Sequence, residues 1–143
     1  MQSETGFRPV EPKVAIVIGA AVGNGLSYAA LLVSGQIFLW ALVAGGIPGN
    51  EAYVRACESM AYLLFAHAVG FLSLLPGGAW TAKLSRRSHI RNAAIAGGLV
   101  AVVALLGCLV PYYFPIPFWS RVASVLLPVP AFVMGAIWQT REA

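Results

Sequence analysis

The chain has 143 residues, 59% of them hydrophobic and only 10% charged, with a formal net charge of +4 at neutral pH. A soluble domain of this length needs far more polar surface than a mean hydropathy of +0.81 leaves, so the composition excludes an ordinary water-soluble fold. It predicts an all-α membrane protein. A hydrocarbon core about 30 Å thick asks for roughly 20 apolar residues per helix. Four runs qualify, over 14–46, 52–75, 93–110 and 122–139, and short connections predict an up-down antiparallel bundle forming one domain.

The first run follows Pro12 and Lys13 and closes at Gly45-Gly46-Ile47-Pro48-Gly49-Asn50-Glu51, a tight turn. It continues through Leu31-Leu32 to Trp40, beyond the roughly 7–15 residues of a signal-peptide core, so a retained helix is expected. As an α-helix its 30 residues from Val14 to Val43 span about 45 Å. It must protrude from the bilayer or break, and Gly23-Asn24-Gly25 is the place for a break. The intact, protruding helix is the expectation, because membrane helices tolerate glycine. Ala15, Gly19, Gly23 and Ser27 recur every four residues, with Ala21, Gly25 and Ala29 in an adjacent row. Small residues at this spacing allow close backbone approach, and Ala93, Gly97 and Ala101 repeat the device in the third run. The contact is expected inside the bundle, with contact between chains as the alternative. Asn24 is positioned for an interhelical hydrogen bond.

The second run is expected to end at Pro76-Gly77-Gly78. His67 lies midway along it, near the bilayer centre. An intramembrane ionisable group is a candidate site, able to relay a proton or bind a metal. No carboxylate lies at its depth, so a neutral, structural His67 satisfied by Ser, Asn or a backbone carbonyl is the reading adopted. Glu58 lies nearer the outer surface, within reach of Arg55 and of Arg121 from the fourth run. These form either an interfacial charge cluster or a polar vestibule toward His67. Nine residues separate Glu58 from His67, which puts them on opposite faces of one helix.

Lys83, Arg86, Arg87 and Arg91 crowd into the loop 76–92. With Arg8, Lys13 and Arg141 they put seven of the nine Lys and Arg residues on one side, leaving Arg55 and Arg121 opposite. Both termini and this loop are therefore expected in the cytoplasm, and the composition suggests a bacterial inner (plasma) membrane. The charge is a topology signal, so no nucleic-acid partner is expected. The stretch 78–87 resembles the basic loop after the second helix of major-facilitator transporters, without that loop's acidic residue.

Pro111, Pro115 and Pro117 separate the last two runs. The uncharged Tyr112-Tyr113-Phe114-Pro115-Ile116-Pro117-Phe118-Trp119 reads as an interfacial aromatic belt or a partner-docking patch. Pro128 and Pro130 interrupt the fourth run and predict a kink. Cys57 and Cys108 fall at similar depths near the outer surface, and free thiols are expected, a disulfide being the alternative.

No CxxC, Asp, G-x-S-x-G, Walker or H-E-x-x-H pattern occurs, and His89 is the only other histidine. No catalytic residue, cofactor or metal is assigned, and an enzyme is not expected. The sequence reading favours a small accessory or assembly partner of a membrane complex, embedded in the lipid bilayer and contacting other membrane subunits or itself. The rival is an oligomeric transporter or channel around Asn24, His67 and the fourth-run prolines. A weaker third reading is a lipid enzyme working at Arg86-Arg87.

Overall fold

Backbone N–H and C=O groups that meet no water must pair within their own segment, so apolar runs of this length fold as helices. The computed structural model describes residues 10–85, 87–109 and 116–142. Six helices follow in order: α1 Pro12–Ala44, α2 Gly49–Glu58, α3 Met60–Leu84, α4 His89–Leu109, α5 Phe118–Leu126 and α6 Pro128–Glu142. Four stretches are long and apolar enough to cross a membrane, namely α1, α3, α4 and the combined Phe118–Arg141. No strand occurs among the described residues. An isolated bridge pairs Val10 with Ser85, the Val10 N–H donating to the Leu84 carbonyl at 3.1 Å.

α1 runs unbroken through Gly23-Asn24-Gly25, as expected. Elsewhere helix boundaries differ from the sequence expectation, each for a local reason. The run expected to start at residue 52 is divided at Ser59, whose extended backbone (φ −74°, ψ 113°) stops α2 and whose Oγ accepts the Tyr62 N–H at 3.3 Å to cap α3. α2 is thereby a separate amphipathic helix. Ala52, Ala56 and Cys57 are buried while Glu51, Arg55 and Glu58 are exposed. Pro76-Gly77-Gly78 does not end the next helix, which continues eight residues past Pro76 to Leu84. Pro76 offers no N–H to the Leu72 carbonyl, yet packing against α1 and α6 holds the helix together there. Finally, α4 starts at His89, four residues before the expected start, so the basic loop contracts from 76–92 to 85–88.

That short turn is built from polar side chains. Ser88 takes a left-handed conformation (φ 56°), and the Asn92 N–H bonds back to its carbonyl at 2.9 Å. The buried Asn92 amide donates to Ser85 Oγ at 3.1 Å and to the Arg87 carbonyl at 3.0 Å. His89 Nδ1 donates to the Ala82 carbonyl at 2.8 Å. Lys83, Arg87 and Arg91 stay exposed around it, with Lys83 Nζ 5.9 Å from the centre of the Trp80 ring. Arg8 and Arg86 lie outside the described residues, as do Tyr112 to Pro115.

The core centres on Phe132 of α6, fully buried with Ala93, Ala96, Ala131 and Ala136. Glycines from three helices surround it. A Cβ at Gly23 or Gly77 would collide with its ring, one at Gly78 with its backbone, and one at Gly97 would come within 3.1 Å of its Cβ. Further along the same crossing, a Cβ at Gly135 would overlap the Leu75 carbonyl. Pro76-Gly77-Gly78, expected to be a helix terminator, is thus where α3 meets α6 backbone to backbone. α1 and α3 pair along their lengths: Gly19 meets Thr81, Gly23 meets Gly77, Ser27 lies near Gly70, and the Phe38 and Tyr62 rings sit 4.6 Å apart. In the fourth span Pro128 and Pro130 withhold donors from the Ser124 and Leu126 carbonyls, and the helix bends at Leu127.

Candidate functional site

Above the glycine crossing the helices diverge. α3 and α4 present Ala66, Gly70, Ala104 and Gly107 to the space between them, and these small side chains leave a cavity of about 390 Å³ bounded by α1, α3, α4 and α5. Its walls are mostly apolar, with Leu63, Phe71, Leu74 and Val100 prominent. The polar groups converge from α1, α3, α4 and α5: Asn24, Ser27 and Tyr28, then His67, then Cys108, then Ser120 and Ser124. Asn24 and Tyr28 are exposed, so the cavity opens sideways along the flank of α1.

The best-defined polar contact joins His67 Nε2 to Ser120 Oγ at 2.9 Å. Ser120 is only 6% exposed, so this pair is a desolvated one between α3 and α5. The imidazole tautomer decides which of the two donates. The Trp119 ring lies tilted over His67, centroids 5.6 Å apart. One turn on, Ser124 Oγ donates to the Arg121 carbonyl at 2.7 Å and has Cys108 Sγ 3.8 Å away. Among the described residues no Asp, Glu, Lys or Arg lines the cavity, and no cluster of His, Cys, Asp or Glu could hold a metal ion. The chemistry on offer is neutral hydrogen bonding inside an apolar enclosure.

The sequence candidates divide. His67 and Asn24 line the cavity together with Ser27, although Asn24 is at its mouth and His67 on the wall. Glu58 lies outside the span, exposed at the end of α2, because Ser59 interrupts the helix expected to carry it inward. Arg121 is half-buried in α5 and is not among the residues that line the cavity. The exposed Glu51–Arg55 pair, 3.8 Å apart, belongs to the surface. Ala15, Gly19 and Gly23 are buried, as are Ala93 and Gly97, whereas Ala101 is half-buried. Cys57 and Cys108 are both free, the first buried in α2 and the second facing Ser124.

Four residues escaped the sequence reading. Phe132 and Asn92 carry no local signal, since each depends on what other helices bring to it. Ser120 and Ser124 did carry one: two hydroxyls four residues apart share a helix face. Trp119, grouped with the aromatic belt, lies tilted against the candidate histidine. No protein-family model matches the chain, and no match to a curated protein or a solved structure was found.

Proposed function

We propose that this chain is a non-enzymatic multi-pass membrane protein that serves as an accessory or assembly subunit of a membrane complex. One observation carries the reading. Ala21, Gly25 and Ala29 form an exposed row on α1, and a Cβ built at Gly25 meets nothing within 4 Å. Lipid alone gives no reason for a row of small residues there, whereas a partner helix gains close backbone contact from it. α1 also has the most surface to offer, with 11% of its most apolar window buried against 28% in α4 and in the fourth span.

The spans form an up-down antiparallel bundle in a bacterial inner membrane, with both termini and the basic turn cytoplasmic. Two features support this arrangement. Contacts from Gly19 to Phe38 on α1 meet residues in falling order, from Thr81 to Tyr62, on α3. Lys13, Lys83, Arg87 and Arg91 lie at or near the start of α1, the end of α3 and the start of α4, which the Val10–Ser85 bridge and the turn 85–88 bring together.

The test places a photo-crosslinking side chain at Ala29 in native membranes. Expected is an adduct with a different chain, lost when Gly25→Ile fills the row without touching the bundle. An adduct only with a second copy of this chain refutes the accessory role. It favours the second reading, an oligomeric transporter, for which the His67–Ser120 pair at the cavity wall is the supporting observation. Adducts with lipid alone refute both.

A further inference from the structure

We infer that the cavity between α1, α3, α4 and α5 is a binding site for a neutral, membrane-dissolved molecule carrying a carbonyl or hydroxyl oxygen. This goes beyond the subunit role and does not depend on it. At about 390 Å³ the space lies within the roughly 300–1,000 Å³ of small-molecule sites. Its distribution of groups is also that of such a site, an apolar wall with a few convergent polar atoms.

The ligand's charge, route and orientation follow from the lining. An ion in an apolar enclosure without a countercharge is strongly disfavoured, and among the described residues no charged side chain lines this one, so the occupant is uncharged. The mouth beside the exposed Asn24 and Tyr28 lies midway along a span, so the occupant arrives through the bilayer. Inside, His67 and Ser120 hold one another 2.9 Å apart. When the imidazole N–H donates to Ser120 Oγ, the serine hydroxyl is released to donate to a ligand oxygen. When the hydroxyl donates to the imidazole instead, Oγ accepts from a ligand hydroxyl. The pair thus serves either oxygen without taking up charge. The apolar body of the ligand then lies against Phe71 and Val100, in the room left by Gly70 and Ala104.

Quinones and diacylglycerols share this chemistry. The experiment uses the purified full chain in detergent and follows thermal unfolding with decylubiquinone, dioctanoylglycerol or decanoate. Expected is saturable stabilisation by at least one neutral probe and none by the decanoate anion, the responding probe identifying the source. Ser120→Ala should weaken that probe about tenfold, the effect of one hydrogen bond. Ala104→Phe, which fills the space, should abolish binding. Should Ala104→Phe fail to fold, Ser120→Ala and His67→Leu carry the test. No saturable response to either neutral probe, equal or tighter binding of decanoate, or unchanged affinity in the folded variants overturns the proposal. Loss of the crosslink at Ala29 with probe binding intact would remove the subunit role and leave this site standing.

Discussion

Replacing Gly78 with alanine probes the crossing on which the fold rests. The added Cβ would overlap the Phe132 carbonyl oxygen and lie 2.7 Å from the Phe132 Cα, both backbone atoms that no rotamer change can move away. α3 and α6 must therefore separate, and overpacking of this kind costs about 1–3 kcal/mol, here at the upper end. Against it stands up to about 1 kcal/mol gained by replacing a helical glycine with alanine. The net loss is about 2 kcal/mol, roughly a thirty-fold fall in the folding constant. Gly25→Ala and Gly98→Ala make the same helical gain with nothing within 4 Å of the new Cβ, so they should be neutral or slightly stabilising. Reversible unfolding in mixed detergent micelles, followed by tryptophan fluorescence, measures all three. If Gly78→Ala lies within about 0.5 kcal/mol of Gly25→Ala, the close α3–α6 crossing is wrong and Pro76 does end the helix, as the sequence pattern first suggested.

Asn92→Leu should destabilise the chain by about 1–3 kcal/mol, because the Arg87 carbonyl loses its buried donor. The same substitution should speed tryptic cleavage after Arg87, and an unchanged cleavage rate would argue against a built turn. Burial first, and the Glu58 carboxylate second, raise the Cys57 thiol above its ordinary pKa. A raised pKa means less thiolate, so in a Cys108→Ser background iodoacetamide should modify folded Cys57 more slowly than the detergent-unfolded chain, with the rate climbing only at higher pH. Equal rates in the two states would contradict the buried placement of Cys57. Reporter fusions at Ala143 and within the turn after α1 should show cytoplasmic and periplasmic activity respectively, and periplasmic activity at Ala143 would invert the topology.

Much of the helical layout was legible because bilayer length and breaker residues act locally. The spans around Ala15-Gly19-Gly23 and Ala93-Gly97 could be read with their small faces. Pro76-Gly77-Gly78 was misread for a physical reason: in water this triplet stops a helix, whereas between packed apolar helices it removes side-chain bulk and the backbone stays helical. Ser59 shows the opposite failure, an ordinary residue whose capping geometry ends a helix within an apolar run. At the site, His67 announced itself as an ionisable side chain within an apolar run. Its partner Ser120 could not be named, because the pairing depends on how α5 lies across α3. Glu58 was read into the same helix as His67, and the break at Ser59 separates them.

Phe132 belongs to the fourth span, which is synthesised after the three that carry the glycines around its ring. Until residue 132 leaves the ribosome, Gly23, Gly77 and Gly97 have no ring to close upon. The earlier spans can form their helices one by one, but their shared centre forms only once α6 has followed them. A chain halted after α4 would keep its hydrophobic segments and lack the piece that joins them. The position of one aromatic residue thus makes closure of the core wait on its fourth span, and the glycine faces of the first three stay unjoined until α6 reaches them.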